Sequence, residues 1–201
     1  MDESMEVRKF FFKNKELVRL DGVYDPQEDS ILLTNAVKVR KETKALDIGC
    51  GTGIQSVNMA LQGANVLAAD INDAALRNTK ITAETFGVEK LVKTRKSDLF
   101  SNIKKDEKFD FIVFNPPYVP STKIKYTELD GGKKGRIILD KFINEFAGHL
   151  NEKGVCYFLQ SSLNGIKNTE EKLEKQNLKF EIVAKQRIFF EEIIVFKATK
   201  K

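Results

Sequence analysis

The chain has 201 residues, 41% of them apolar and 31% charged, with fifteen phenylalanines and no tryptophan. Such a chain is long enough for one domain with a real core, and no apolar run is long enough to span a bilayer. The net charge of +5 is spread over interleaved acids and bases, which favours an anionic partner only weakly.

In chain order, VRKFFFKNKELVRL (7–20) mixes apolar and basic residues without a clear period, and its phenylalanine run reads as core or as a lid over a ligand. PQEDSILLTNAVKV (26–39) reads as a helix, with Pro26 near its first turn and Ile31, Leu32, Ala36 and Val37 as its inner side. KALDI (44–48) is a short buried strand running into a glycine loop. The helix through IQSVNMALQG follows, stopped by Gly63. NVLAAD (65–70) is a second strand, and the next helix has Asn72 as its cap and ends at Gly87. LVKTRKSD (91–98) and FDFIVF (109–114) are the third and fourth strands. A helix from Gly135 to Leu150 precedes a fifth strand, GVCYFLQ (154–160). An amphipathic charged helix (163–177) leads to two closing strands within 180–198, joined by almost no loop and therefore antiparallel.

Alternating strands and helices predict a largely parallel sheet of seven strands, with helices on both faces and a C-terminal antiparallel hairpin. No repeat or linker divides residues 1–201, so a single domain is expected: a covering segment over 1–43 and an α/β core over 44–201. Cys50 and Cys156 lack CxxC partners, which indicates neither a disulfide framework nor a metal site. The single histidine, His149, has no GxSxG elbow to serve and reads as a surface helix-end cation. With no charged-then-apolar leader, the chain is expected to be soluble and cytoplasmic.

Chemistry concentrates at the strand ends. Asp47-x-Gly49-x-Gly51-x-Gly53 matches neither GxGxxG nor a Walker loop, so it lets a nucleotide approach closely without the pattern that binds pyrophosphate. Asp47 would repel a phosphate and attract an amine. Asp70 ends the second strand where an acid accepts from ribose hydroxyls. Asp98 ends the third and could accept from an adenine amine, with Leu99 against the ring. The implied ligand has an amine, a ribose and an adenine but no phosphates, and S-adenosylmethionine fits.

FNPPYVP (114–120) holds three of the four prolines and follows a buried strand directly. Proline cannot donate to a sheet, so pairing stops here in a stiff platform. The side-chain oxygen of Asn115 and the carbonyl of Pro116 can accept the two N–H groups of a planar amine. Pro117 keeps the backbone rigid and Tyr118 offers a flat face. A bare turn, or a PxxP ligand at Pro117 and Pro120, would use the same residues.

These motifs resemble the class I S-adenosylmethionine-dependent methyltransferases, with their Rossmann-like fold. VYDPQEDSILL (23–33) and LDGGKKGRIILDKF (129–142) resemble the short archaeal and eukaryotic branch of the HemK-type release-factor glutamine methyltransferases. The resemblance implies that Tyr24 and Ser30 close over the cofactor, joined by Asp47, Gly49, Gly51, Gly53, Asp70, Asp98, Leu99 and Asn115. It implies that the Gly-Gly-x-x-Gly-Arg stretch lines the substrate side, and that the helical N-terminal domain of bacterial relatives is missing. The implied substrate is the glutamine of the Gly-Gly-Gln loop of a class 1 termination factor. The implied partner is a small zinc-binding activator on the third-strand edge, where Lys93, Arg95 and Lys96 could also serve as edge protection. Methylation of a base amine in RNA or DNA, methylation of a lysine, and a non-catalytic cofactor-binding subunit remain as alternatives; no Arg/aromatic stripe supports nucleic acid.

Overall fold

The computed structural model describes residues 8–121 and 129–201, so residues 1–7 of the expected covering segment lie outside it. Residues 8–19 form a hairpin of β1 (Arg8–Phe12) and β2 (Lys15–Arg19). Phe12 and Leu17 are buried with Ile54, and Phe12 meets the Phe86 ring edge-on at 5.9 Å. Phe11 is 72% exposed. Phe12 is thus core, and none of the three phenylalanines lines the cavity described below.

The helix expected over 26–39 is the shorter α1 (Glu28–Ala36), because Pro26 precedes the N-cap Gln27 and Val37 is already extended. Its inner side is wider than the expected one: Val37 is fully buried and Leu32 and Ala36 pack against the core, as expected. Ile31 is 40% exposed, while Asp29, Ser30, Leu33 and Thr34 are buried. Polar neighbours bury the added face: Gln55 donates through Nε2 to the Ser30 carbonyl at 2.8 Å, and Asn58 through Nδ2 to that of Thr34 at 3.0 Å.

The main sheet contains β3 (Lys44–Ile48), β4 (Asn65–Asp70), β5 (Val92–Lys96), β6 (Phe109–Phe114), β7 (Leu150–Ser161), β8 (Leu178–Ile188) and β9 (Glu191–Lys200). Their order is β5-β4-β3-β6-β7-β9-β8. β3 to β7 run parallel, and β9 lies antiparallel between β7 and β8, as the closing hairpin predicts. Side chains alternate across the sheet. Phe111 and Val113 pack with α1, α2 (Ile54–Leu61) and α3 (Asp73–Phe86); Ile112 and Phe114 pack with α4 (Ile137–Glu145) and α5 (Ile166–Lys175).

The helix expected over 135–150 breaks up: α4 lies between 3₁₀ turns at Lys133–Gly135 and Phe146–His149, and β7 starts at Leu150. His149 ends the second 3₁₀ turn, as expected, but is half-buried. Its ring stacks on Phe100 at 4.8 Å, with Nδ1 3.1 Å from the Glu107 carbonyl oxygen. Among the described residues no helix is long and apolar enough to cross a membrane. Strand order reverses between β3 and β6, and their carboxyl ends frame the crevice where ligands bind in doubly wound sheets.

Candidate active site

A cavity of about 280 Å³ opens at this crevice, lined by the ends of β3 to β6 and by residues of the 22–30 stretch. Asp29, Asp70, Asp98 and Asp130 line it, whereas among the described residues no Lys, Arg or His does. Among the described lining residues a phosphate would meet acids, and a cation would be complemented.

The glycine loop after β3 is shaped by close contacts. Gly53 begins α2 at φ 84°, and a Cβ there would lie 2.7 Å from the Thr79 Cα, so only glycine lets α2 meet α3 this closely. The loop then reaches Asp70, whose carboxylate accepts from the Gly51 N–H at 3.1 Å and from the Asn72 N–H at 2.9 Å. Burial raises the Asp70 pKa, and these N–H groups oppose the rise. Asn72 caps α3 as expected and also donates to the Gly22 carbonyl at 2.7 Å, tying the covering stretch to the end of β4. Asp47 lies behind the loop. It is 1% exposed and accepts from Ser56 Oγ at 2.6 Å. Burial, with the charge of Asp70, pushes its carboxyl up to about 7 against the pull of that hydrogen bond.

The platform after β6 centres on a residue the motif reading passed over. Asp29 is buried and accepts from Tyr24 OH at 3.1 Å, from Tyr118 OH at 3.2 Å and from Asn115 Nδ2 at 3.2 Å. Asn115 Nδ2 also reaches Ser30 Oγ at 3.3 Å. A carboxylate only accepts, so it fixes the amide with its nitrogen towards Asp29. Asn115 Oδ1 is left buried, with no hydrogen-bond partner among the described residues. Such an atom calls for a donor. Burial, then the charge of Asp29, raises both tyrosine hydroxyls far above the usual phenol range, which keeps them as donors.

Behind the platform lies the Gly-Gly-x-x-Gly-Arg stretch. A Cβ on Gly131 would sit 2.6 Å from the Pro117 carbonyl oxygen, and one on Gly135 2.0 Å from that of Tyr118. Asn164 donates through Nδ2 to the same Tyr118 carbonyl at 2.9 Å. Arg136 is buried and holds the carbonyls of Asn164 and Gly165 at 2.7 and 3.0 Å, with Asp140 at 2.7 Å. Leu129 and Asp130 line the cavity, whereas the glycines and Arg136 buttress the platform from behind.

The structure therefore gathers Tyr24, Ser30, Gly49, Gly51, Asp70, Asp98, Leu99, Asn115, Pro116, Pro117 and Tyr118 around one cavity. Asp47 and Gly53 stand outside its lining. Leu99 takes φ 48°, held by Ser97 Oγ donating to its carbonyl at 2.8 Å. Besides Asp29, the sequence reading missed Gln55, which lines the cavity with its Oε1 buried and unpartnered among the described residues. The available signal was an acid and an amide on helices otherwise read for their apolar side.

The sequence pattern of the methyltransferase small domain matches residues 16–190. A Methanocaldococcus jannaschii protein bearing the name of an N5-glutamine methyltransferase is 42% identical over 183 residues, covering 88% of this chain and 91% of its own. Human methyltransferase HEMK2 is 27% identical, with 89% and 90% covered. The release factor glutamine methyltransferase of Aquifex aeolicus is 30% identical; the match covers 87% of this chain but 66% of that longer protein. The E. cuniculi Mtq2–Trm112 complex, described as responsible for methylating the eRF1 translation termination factor, superposes with a TM-score of 0.73 at 25% identity, covering 90% and 99%. The fold is shared more widely: the T. thermophilus 16S rRNA N2 G1207 methyltransferase, solved with AdoMet and guanosine, gives a TM-score of 0.75 at 21% identity, covering 98% of this chain and 51% of that one. Match length and identity together place this chain among the small-domain methyltransferases, in the HemK-type family.

Proposed function

We propose that the chain transfers a methyl group from S-adenosylmethionine to the side-chain amide nitrogen of the glutamine in the Gly-Gly-Gln loop of a class 1 translation termination factor. The observation that carries this reading is the buried, unpartnered Asn115 Oδ1 beside an amide nitrogen pinned by Asp29 and Ser30. The relatives named for glutamine methylation support it.

The residues fit the cofactor. The Asp70 carboxylate can accept from a ribose diol, Asp98 and Leu99 can hold an adenine, and the acidic lining suits a cationic ligand without phosphates. When bound, S-adenosylmethionine supplies a methyl already activated on a sulfonium. The protein's task is then positioning and exclusion of water. Asn115 Oδ1 accepts one N–H of the acceptor amide and the Pro116 carbonyl the other, which turns the remaining lobe of the nitrogen towards the donor. Tyr118 supports the planar group, and its hydroxyl stays locked on Asp29. No dedicated base is needed, since the proton leaves only after the nitrogen has been alkylated.

A small zinc-binding activator on the outer edge of β5 completes the proposal, supported by the two-component Mtq2–Trm112 neighbour. The reading places the chain in the cytoplasm, where termination occurs. The test is a labelled methyl-transfer assay, with and without the activator, on the factor, on its Gln→Asn variant, and on bulk RNA and DNA. Label on the wild-type factor alone is expected, and Asn115→Ala should lower turnover roughly 10²-fold or more. Label on nucleic acid with the factor untouched would overturn the substrate.

A further inference from the structure

The turn between β8 and β9 is built against local preference. Two residues, Phe189 and Phe190, join Ile188 to its cross-strand partner Glu191. Loops of this length favour Gly, Asn or Asp, because they require positive φ. Phe189 nevertheless stands at φ 51°, and the two side chains are 87% and 98% exposed. Neither turn chemistry nor packing among the described residues accounts for the pair, and strain kept at an exposed site points to function.

The turn is wired to the catalytic platform. Ser161 Oγ donates to the Glu191 carboxylate, and the Glu192 N–H donates to Ser162 Oγ at 3.0 Å. The Ser161 N–H donates to Asn164 Oδ1 at 2.9 Å, and Asn164 Nδ2 in turn to the Tyr118 carbonyl at 2.9 Å. Ile188 packs in the same apolar cluster as Tyr118, and the charge of Glu191 acts on the Tyr118 hydroxyl. Leu163, in the intervening turn, is 60% exposed. The tip thus stands at the platform side of the cavity mouth.

Charge selects the occupant. Glu28, Asp29 and Glu191 all act on Tyr118. Glu192 adds a further acid, offset by Arg187 opposite it in the hairpin. Among the described residues, the charges that act on Tyr118 are all acidic, so a phosphate would be disfavoured beside it, whereas a protein surface brings apolar hollows without phosphates. We propose that Phe189 and Phe190 anchor the folded protein that presents the acceptor amide, by entering an apolar hollow beside its modified loop. This rests on the protein-substrate reading above.

Phe189→Gly combined with Phe190→Ser removes both rings and gives the left-handed position the residue it prefers, so the variant should melt at or above the wild-type temperature. Steady-state transfer is compared on the whole termination factor and on a short Gly-Gly-Gln peptide, with the activator present. The expected result is a kcat/KM lower by about tenfold or more on the factor, and unchanged on the peptide. Equal values on the factor for both proteins overturn the docking role, as does a parallel loss on both substrates. A wild-type dimer that the variant disperses, with factor turnover unchanged, assigns the rings to a second copy and overturns it too. A wild-type chain that labels neither factor nor peptide overturns the glutamine reading itself, and the docking role with it.

Discussion

Asp47 is held in an environment that disfavours its charge, and its folding linkage has a definite sign. The ordinary value is 3.8 and the folded one about 7, raised by burial and by Asp70. Between those pH values the folded chain keeps a proton that the unfolded chain has released. The stability this confers is complete below about pH 4 and is lost as pH rises to about 7. Three units correspond to on the order of 4 kcal/mol. Asp47→Asn keeps an acceptor for Ser56 without the charge. Its melting temperature relative to wild type should therefore climb from about pH 4 to about pH 7 and then level off; a pH-independent difference would contradict the assignment. Asp70 and Asp98 were legible in the sequence because each closes a strand of a parallel sheet. Asp29 was not, since the face that α1 buries is set by Gln55 and Asn58, more than twenty positions away. No apolar period records that.

At the scale of elements, the platform is rigid because another segment is fitted into its back. The Gly131 N–H donates to the Val119 carbonyl at 2.9 Å, and the Val119 N–H to that of Leu129 at 3.0 Å, so the chain past Tyr118 is stapled to the glycines. Gly135 takes φ 66° in contact with the Tyr118 carbonyl. Gly135→Ala adds a Cβ where no space exists, in a conformation that disfavours it. The expected cost is about 3 kcal/mol, or a melting temperature lower by about 6–12 °C for a chain of this size. Turnover at a temperature where the variant remains folded should drop as well, since the platform must shift to make room. Wild-type turnover in a folded variant would show that the buttress does not position Asn115. The sequence resemblance located this stretch but not its role: a spacing of glycines records tight approach without naming what approaches. The N-terminal hairpin was harder still to read. Only Phe12 and Leu17 are buried from it, with Phe10 packed partly against them, too few to set a period.

Across the whole molecule, the sheet leaves two outer strands, β5 and β8. Helices pack on both, α1 and α5 on β8 and α2 and α3 on β5, and β5 has β4 on one side and, among the described residues, no strand paired on the other. The basic residues that could guard this edge are largely engaged within the chain. Arg95 grips Glu107 at 2.6 and 3.0 Å, and Lys96 meets Asp73 at 2.5 Å, leaving Lys93 exposed. Exposed ion pairs of this kind contribute little stability, but they offset the basic charge of the edge, which suits strand addition better than repulsion. The Leu91 carbonyl and the Ser97 N–H both pair inwards with β4. By alternation, Val92, Thr94 and Lys96 turn their backbone groups outwards. If the activator docks by extending the sheet, the amides of Thr94 and Lys96 should exchange rapidly in the isolated chain and become protected in the complex. Those of Lys93 and Arg95, already paired with β4, should change far less. Protection of all four to the same degree would indicate general stabilisation of the sheet. No protection at β5, in a complex that still activates methyl transfer, would move the partner to another surface.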